Sequence, residues 1–123
     1  MIRSKKILMV DDEEGFIALL RPVLEERGFE VSAAANAVDA GIEMSGSLPA
    51  LILMDIKMPG INGLQACEAI KKNPKTKDIP IIVISALADE SDIRAAKKTG
   101  VADYFVKPID IEKLINRIRA IID

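Results

Sequence analysis

Histidine and tryptophan are absent from this 123-residue sequence, and cysteine and tyrosine occur once each. The lack of histidine excludes imidazole acid-base catalysis, histidine metal ligation and a phosphohistidine on this chain. A lone Cys67 excludes an internal disulfide, which fits a reducing cytoplasm. Aromatic residues make up 3% of the chain while 50% of it is hydrophobic, so the core has to be aliphatic. No apolar run is long enough to span a bilayer, and no membrane association is expected. The opening "MIRSKKILMV" is basic and then apolar, but acids follow at once without a small-residue cleavage site, so it reads as a strand. Neither sign of charge dominates: a net charge of −2, mixed along the chain, argues against direct binding of nucleic acid through bulk charge. A chain of this length suits one domain, spanning residues 1–123.

What is present is an alternation of short apolar runs with longer amphipathic stretches. The runs are Lys6–Asp11, Glu30–Ala34, Ala50–Asp55, Ile79–Ser85 and Asp103–Lys107, with the second more polar and suited to a sheet edge. Runs that are apolar on both faces belong in a parallel sheet covered by helices. In the first intervening stretch Phe16, Leu19, Leu20, Val23 and Leu24 form one helical stripe, with Pro22 inside it and Gly28 as its stop. Asn36, Asp89 and Asp110 stand where the second, fourth and fifth helices need N-caps. The third helix turns Leu64, Cys67 and Ile70 inward, and the fifth carries Ile111, Leu114, Ile115, Ile118, Ile121 and Ile122. The fourth has only Ile93 and alanines to bury and should be the most loosely held. The pattern predicts a doubly wound α/β sandwich of five parallel strands and five helices. The last helix is expected to run to the end of the chain and leave no residues for an effector module.

Sites in such sheets gather at the carboxyl ends of the strands. There the sequence places Asp11 and Asp12 with Glu13 behind them, Asp55, Ser85, and Lys107 followed by Pro108. Crowded carboxylates ionise together when a cation neutralises them. Oxygen ligands without histidine or cysteine suit Mg²⁺ far better than Zn²⁺. A lysine supplies a point charge for a phosphoryl oxygen, a serine hydroxyl donates to another, and one carboxylate is left as nucleophile. Taken singly, each feature is ordinary: Asp55 before Pro-Gly as a turn former, Asp11-Asp12 as helix-start acids, Ser85 as a core hydroxyl, Lys107 as a surface lysine. Their joint placement is not.

Four segments, "LMVDDE", "LILMDIKMPGINGL", "IIVISA" and "YFVKP", carry a resemblance to the receiver domain of two-component response regulators, typified in single-domain form by the chemotaxis response regulator. The resemblance covers the whole chain and implies a flavodoxin-like strand order of 2-1-3-4-5. It implies that Asp55 is the phosphoacceptor, that Asp12 binds Mg²⁺ directly, that Asp11 acts mainly through water, and that the backbone carbonyl of Lys57 is a further ligand. Ser85 would bond the phosphoryl group, Lys107 would hold one of its oxygens, and the Lys107–Pro108 peptide would be cis. Tyr104 matches the aromatic that packs inward when Ser85 moves. The side chains of Lys57 and Leu87 would flank the phosphoryl group and influence its lifetime. The donor would be a sensor histidine kinase or histidine phosphotransfer protein. The output face would be the fourth helix, fifth strand and fifth helix, to which Arg94, Lys97 and Lys98 would contribute. The resemblance does not separate a stand-alone cytoplasmic receiver, which is no enzyme beyond its own phosphorylation and dephosphorylation, from one cut out of a longer regulator with a DNA-binding or catalytic module.

Two rivals fit less well. An aspartyl-phosphate hydrolase usually has a second acid just after its nucleophile, where "DIKMPG" offers Lys57. A nucleotide or flavin binder would want a Gly- or Ser/Thr-rich loop after the first strand, where "DDEEGF" is acidic.

Overall fold

In a computed structural model, residues 5–58 and 61–122 are described. Five strands form one parallel sheet: β1 (Lys6–Val10), β2 (Glu30–Ala34), β3 (Leu51–Met54), β4 (Ile81–Ser85) and β5 (Asp103–Val106). Their order is β2-β1-β3-β4-β5, the expected one. Four helices connect them and a fifth follows β5: α1 (Glu14–Glu26), α2 (Ala37–Gly46), α3 (Gly63–Lys72), α4 (Glu90–Lys98) and α5 (Ile111–Ile122). Most strands are a residue or two shorter than their apolar runs. The terminal residues Asp11, Asp55 and Lys107 leave the ladder and enter the site. A two-residue antiparallel pair, Lys57–Met58 with Ile61–Asn62, was not legible as strand. The Pro59-Gly60 turn expected between them lies outside the described residues.

Successive strand residues point to opposite faces, and here they fill two separate cores. Ile7 and Met9 of β1 join Leu51, Leu53, Ile82 and Ile84 under α1 and α5. Leu8 and Val10 join Ile52, Met54, Ile81 and Val83 under α2, α3 and α4, with Cys67, Ile70 and Ala96. Cys67 is fully buried, and that burial pushes its thiol up to about 12, so it is an inert core residue. The faces differ in grip. Fully burying an Ile or Leu contributes roughly 1.5–3 kcal/mol. Helix α5 buries Leu114, Ile115 and Ile118 completely, whereas α4 buries only Ala96, with Ile93 half-buried. Helix α4 is weakly held, as its sequence implied, but it is not alone in this: α2 also buries a single alanine, Ala40, and leaves Val38 and Ile42 exposed.

Helix ends follow the expected residues with one exception. The Asn36 side chain accepts the Asp39 N–H at 2.8 Å, and Asp110 accepts that of Lys113 at 3.2 Å. Asp89 occupies the cap position of α4, but its carboxylate makes no capping bond. Gly28 and Gly100 stop α1 and α4 with φ of +96° and +99°, a conformation that favours glycine. The α1 stripe also needs one correction. Leu20 and Leu24 are buried, but Leu19 is 60% exposed at the outer edge of the stripe.

Candidate functional site

Backbone bonds to neighbouring strands carry the candidate residues just past the strand ends. The Asp11 N–H donates to Ala34 O at 3.0 Å, the Asp55 N–H to Val10 O at 2.9 Å, and the Lys107 N–H to Ser85 O at 2.8 Å. Each backbone is thereby fixed by a neighbouring strand, and the side chains converge. Asp11, Asp12 and Asp55 each place a carboxylate oxygen within 4.8 Å of the others. Asp11 and Asp55 are each 3% exposed, and Asp12 is exposed. Asp55 is therefore enclosed, and Lys107 pairs with both buried carboxylates.

Local bonds orient these carboxylates. Asp11 Oδ1 accepts the Glu13 N–H at 2.9 Å, and Asp55 Oδ1 accepts the Lys57 N–H at 2.8 Å. Both are turns in which an aspartate binds the backbone two residues on. The Lys107 ammonium donates to Asp11 Oδ2 at 2.8 Å, to Glu13 Oε1 at 2.9 Å and to Asp55 Oδ2 at 3.3 Å. Its Nζ also stands 4.2 Å from the centroid of the Phe16 ring. The Lys107–Pro108 peptide is cis, as the resemblance implied.

Burial raises the Asp11 carboxyl above its usual range, against the pull of Lys107 and of the Glu13 N–H. Burial alone would lower the Lys107 ammonium. Hydrogen bonds to Asp11 and Glu13 and the charges of Asp11 and Asp55 outweigh it, so Lys107 stays charged and sits above the ordinary lysine value. One ammonium thus pairs with three carboxylates, Asp11, Asp55 and Glu13, and a fourth, Asp12, clusters with Asp11 and Asp55. The surplus of negative charge, carried on hard oxygens without a sulfur or imidazole, fits a divalent cation of the Mg²⁺ type.

The remaining candidates form a second chain of contacts. Ser85 is fully buried at the end of β4, and its Oγ accepts the Leu87 N–H at 3.2 Å. The Leu87 carbonyl in turn accepts the Tyr104 hydroxyl at 2.6 Å. One residue's backbone therefore links Ser85 to Tyr104. Sequence reasoning assigned Leu87 only a side-chain role, and that side chain packs with Tyr104 against the α2–α4 core. The Lys57 side chain is exposed. Glu13 was seen only as a neighbouring acid; its bond to Lys107 had no sequence signal, because the two lie 94 positions apart.

A doubly wound sheet with this acidic and lysine-bearing edge defines a phosphoacceptor class of signalling domain. The chain belongs to the response regulator receiver domain family, which it matches over residues 7–119. It is 37% identical over 117 residues to the phosphate regulon transcriptional regulatory protein PhoB of Rhizobium meliloti 1021, covering 95% of this chain and 52% of PhoB. The chain thus spans about half the length of that relative. It is also 37% identical over 117 residues to PilH of Pseudomonas aeruginosa PAO1, covering 95% of this chain and 97% of PilH. The receiver domain of the P. aeruginosa sensor histidine kinase PA1611 superposes with a TM-score of 0.86 at 25% identity, covering 97% of this chain and 98% of that one. That structure has a magnesium ion coordinated in its active-site cleft. Among the described residues, no helix is long and apolar enough to cross a membrane.

Proposed function

We propose that residues 1–123 act as a cytoplasmic receiver in two-component signalling, taking a phosphoryl group onto Asp55 from a sensor histidine kinase or histidine phosphotransfer protein. One observation carries this: Lys107 reaches both Asp11 and Asp55 beside Asp12, at the ends of β1, β3 and β5. An Asp55 oxygen forms the new P–O bond as the donor's P–N bond breaks. Lys107 binds a phosphoryl oxygen, and the Ser85 hydroxyl donates to another. Asp12 directly, Asp11 through water, Asp55 and the Lys57 carbonyl would hold Mg²⁺. Bound Mg²⁺ would offset the charge that gathers as the anionic phosphoryl group meets these carboxylates. The side chains of Lys57 and Leu87 would flank the phosphoryl group and influence its lifetime. The proposed function is that of these residues whether they stand alone or form part of a longer regulator.

The switch runs through Leu87. When Ser85 turns its hydroxyl to the phosphoryl group, the bond from the Leu87 N–H is disturbed, and the Leu87 carbonyl holds Tyr104. Tyr104 lies on β5 beside α4, a weakly packed helix, so a local bond change biases a face with little to resist it. A downstream protein would read the face formed by α4, β5 and α5.

The phosphoryl donor has its own approach. A cavity of about 380 Å³ beside Lys107 is lined in part by Phe16, Leu19, Pro108 and Ile109. Leu19, misplaced by the stripe pattern, is a large exposed apolar group there. Leu19→Asn, which adds polarity without charge, is expected to slow transfer from a phosphorylated phosphotransfer protein by roughly ten-fold or more while leaving uptake from acetyl phosphate unchanged. Paired transfer assays check this.

The proposal itself is tested by intact mass after incubation with acetyl phosphate, with and without Mg²⁺, beside Asp55→Ala. A single phosphoryl adduct that needs Mg²⁺ and is lost in the variant is the expected result. No adduct on folded protein, or an adduct that persists in Asp55→Ala, would overturn it.

A further inference from the structure

We propose that Glu13 tunes the phosphorylation of Asp55 by holding the N–H of Lys107 that a phosphoryl oxygen takes over. This rests on the phosphoacceptor role of Asp55 given above. An ammonium has three N–H donors, and here Asp11, Glu13 and Asp55 accept all of them. A phosphoryl group on Asp55 needs at least one, so a present partner must yield.

The three partners are not equally replaceable. The Asp11 side chain is 4% exposed, and releasing it would leave a buried carboxylate without its cation. Asp55 is the group being modified. The Glu13 side chain is 60% exposed, so water takes the place of the ammonium at small cost. Glu13 is the exchangeable partner.

Lys107 does not need Glu13 to stay in place. Its side chain is 11% exposed, bonded to Asp11 and seated against Phe16. The Glu13 carboxylate makes no capping bond to α1, so it is not required there either. It therefore acts on Lys107 as a competitor and not as a support. A second effect has the same sign. Glu13 borders the cavity beside Lys107, where an anionic phosphodonor has to approach, and like charges across a partly solvated gap repel. Both effects make Glu13 a brake on phosphorylation.

The test is the rate of Asp55 phosphorylation by acetyl phosphate in Mg²⁺, at low and high salt, for wild type, Glu13→Gln, Glu13→Ala and Glu13→Asp, with melting temperatures measured in parallel. Glu13→Gln and Glu13→Ala are expected to react roughly three- to ten-fold faster at low salt, an advantage that salt screens. Glu13→Asp keeps the charge and is expected to stay near wild type, with all melting temperatures alike. An unchanged or slower Glu13→Gln, or a gain shared equally by Glu13→Asp, would overturn the role of Glu13 while leaving Asp55 as phosphoacceptor. No uptake by wild type would instead overturn the phosphoacceptor role, and the tuning role with it.

Discussion

Gly63→Ala is expected to destabilise the fold by about 3 kcal/mol and to slow Asp55 phosphorylation by on the order of ten-fold or more. A Cβ at position 63 would lie 2.3 Å from the Ile56 Cα, 2.9 Å from its Cβ and 3.0 Å from its carbonyl carbon. Two of those three atoms are backbone, so no rotamer change relieves the overlap. Ile56 sits between Asp55 and Lys57, whose N–H orients the Asp55 carboxylate. A shift of Ile56 therefore moves the reactive oxygen as well as opening the start of α3. Gly41→Ala is the control. It stands inside α2 with nothing within 4 Å of the added carbon, and should stabilise by roughly 0.5–1 kcal/mol through helix propensity. Urea denaturation and phosphorylation kinetics on both variants check the pair. Similar behaviour of the two would show that the approach of α3 to Ile56 is not tight.

Lys107→Met should lower the stability of the metal-free protein by about 3 kcal/mol, from two buried carboxylates losing their cation. The Asp11 and Asp55 side chains are 4% and 2% exposed, and Lys107 bridges them. Methionine fills similar volume without charge, so the loss is electrostatic. The site then holds an unanswered negative charge, and Mg²⁺ should bind more tightly to the variant and restore most of its stability. Phosphorylation should nevertheless fall, because the phosphoryl oxygen loses its ammonium. Acid should act in the same direction as metal. Burial already holds the Asp11 carboxyl above its ordinary range in the folded chain. The folded state thus binds that proton more tightly than the unfolded chain, and this group's contribution improves as pH falls through the raised value. Removing Lys107 removes an influence that lowers the Asp11 pKa, so the stability deficit of the variant should narrow on acidification. Urea titrations across pH, with and without Mg²⁺, measure all three effects.

The strand pattern was legible because burial on both faces leaves a continuous apolar run. The same runs ended in Asp11, Asp55, Ser85 and Lys107, so the strand ends pointed to the site before any geometry was known. What escaped depended on contacts that no local window contains. Leu19 fits the helical stripe by spacing, yet α1 buries Leu20 and Leu24 and leaves Leu19 exposed in the Lys107 cavity. Asp89 has the right residue type for a cap, but residue type does not aim its carboxylate at the helix. The Leu87 bridge is made by backbone atoms, which every residue carries. The Glu13–Lys107 bond joins the start of α1 to the end of β5.

The acyl phosphate is proposed to form on Asp55 and on no other residue. The most direct test is borohydride reduction of the phosphorylated protein, which converts an aspartyl phosphate to homoserine, followed by peptide mass analysis. Reduction is predicted to mark one residue, Asp55, in the peptide that follows β3, and only when Mg²⁺ was present. A mark on Asp11 or Asp12, or a phosphoryl adduct that borohydride leaves untouched, would contradict it.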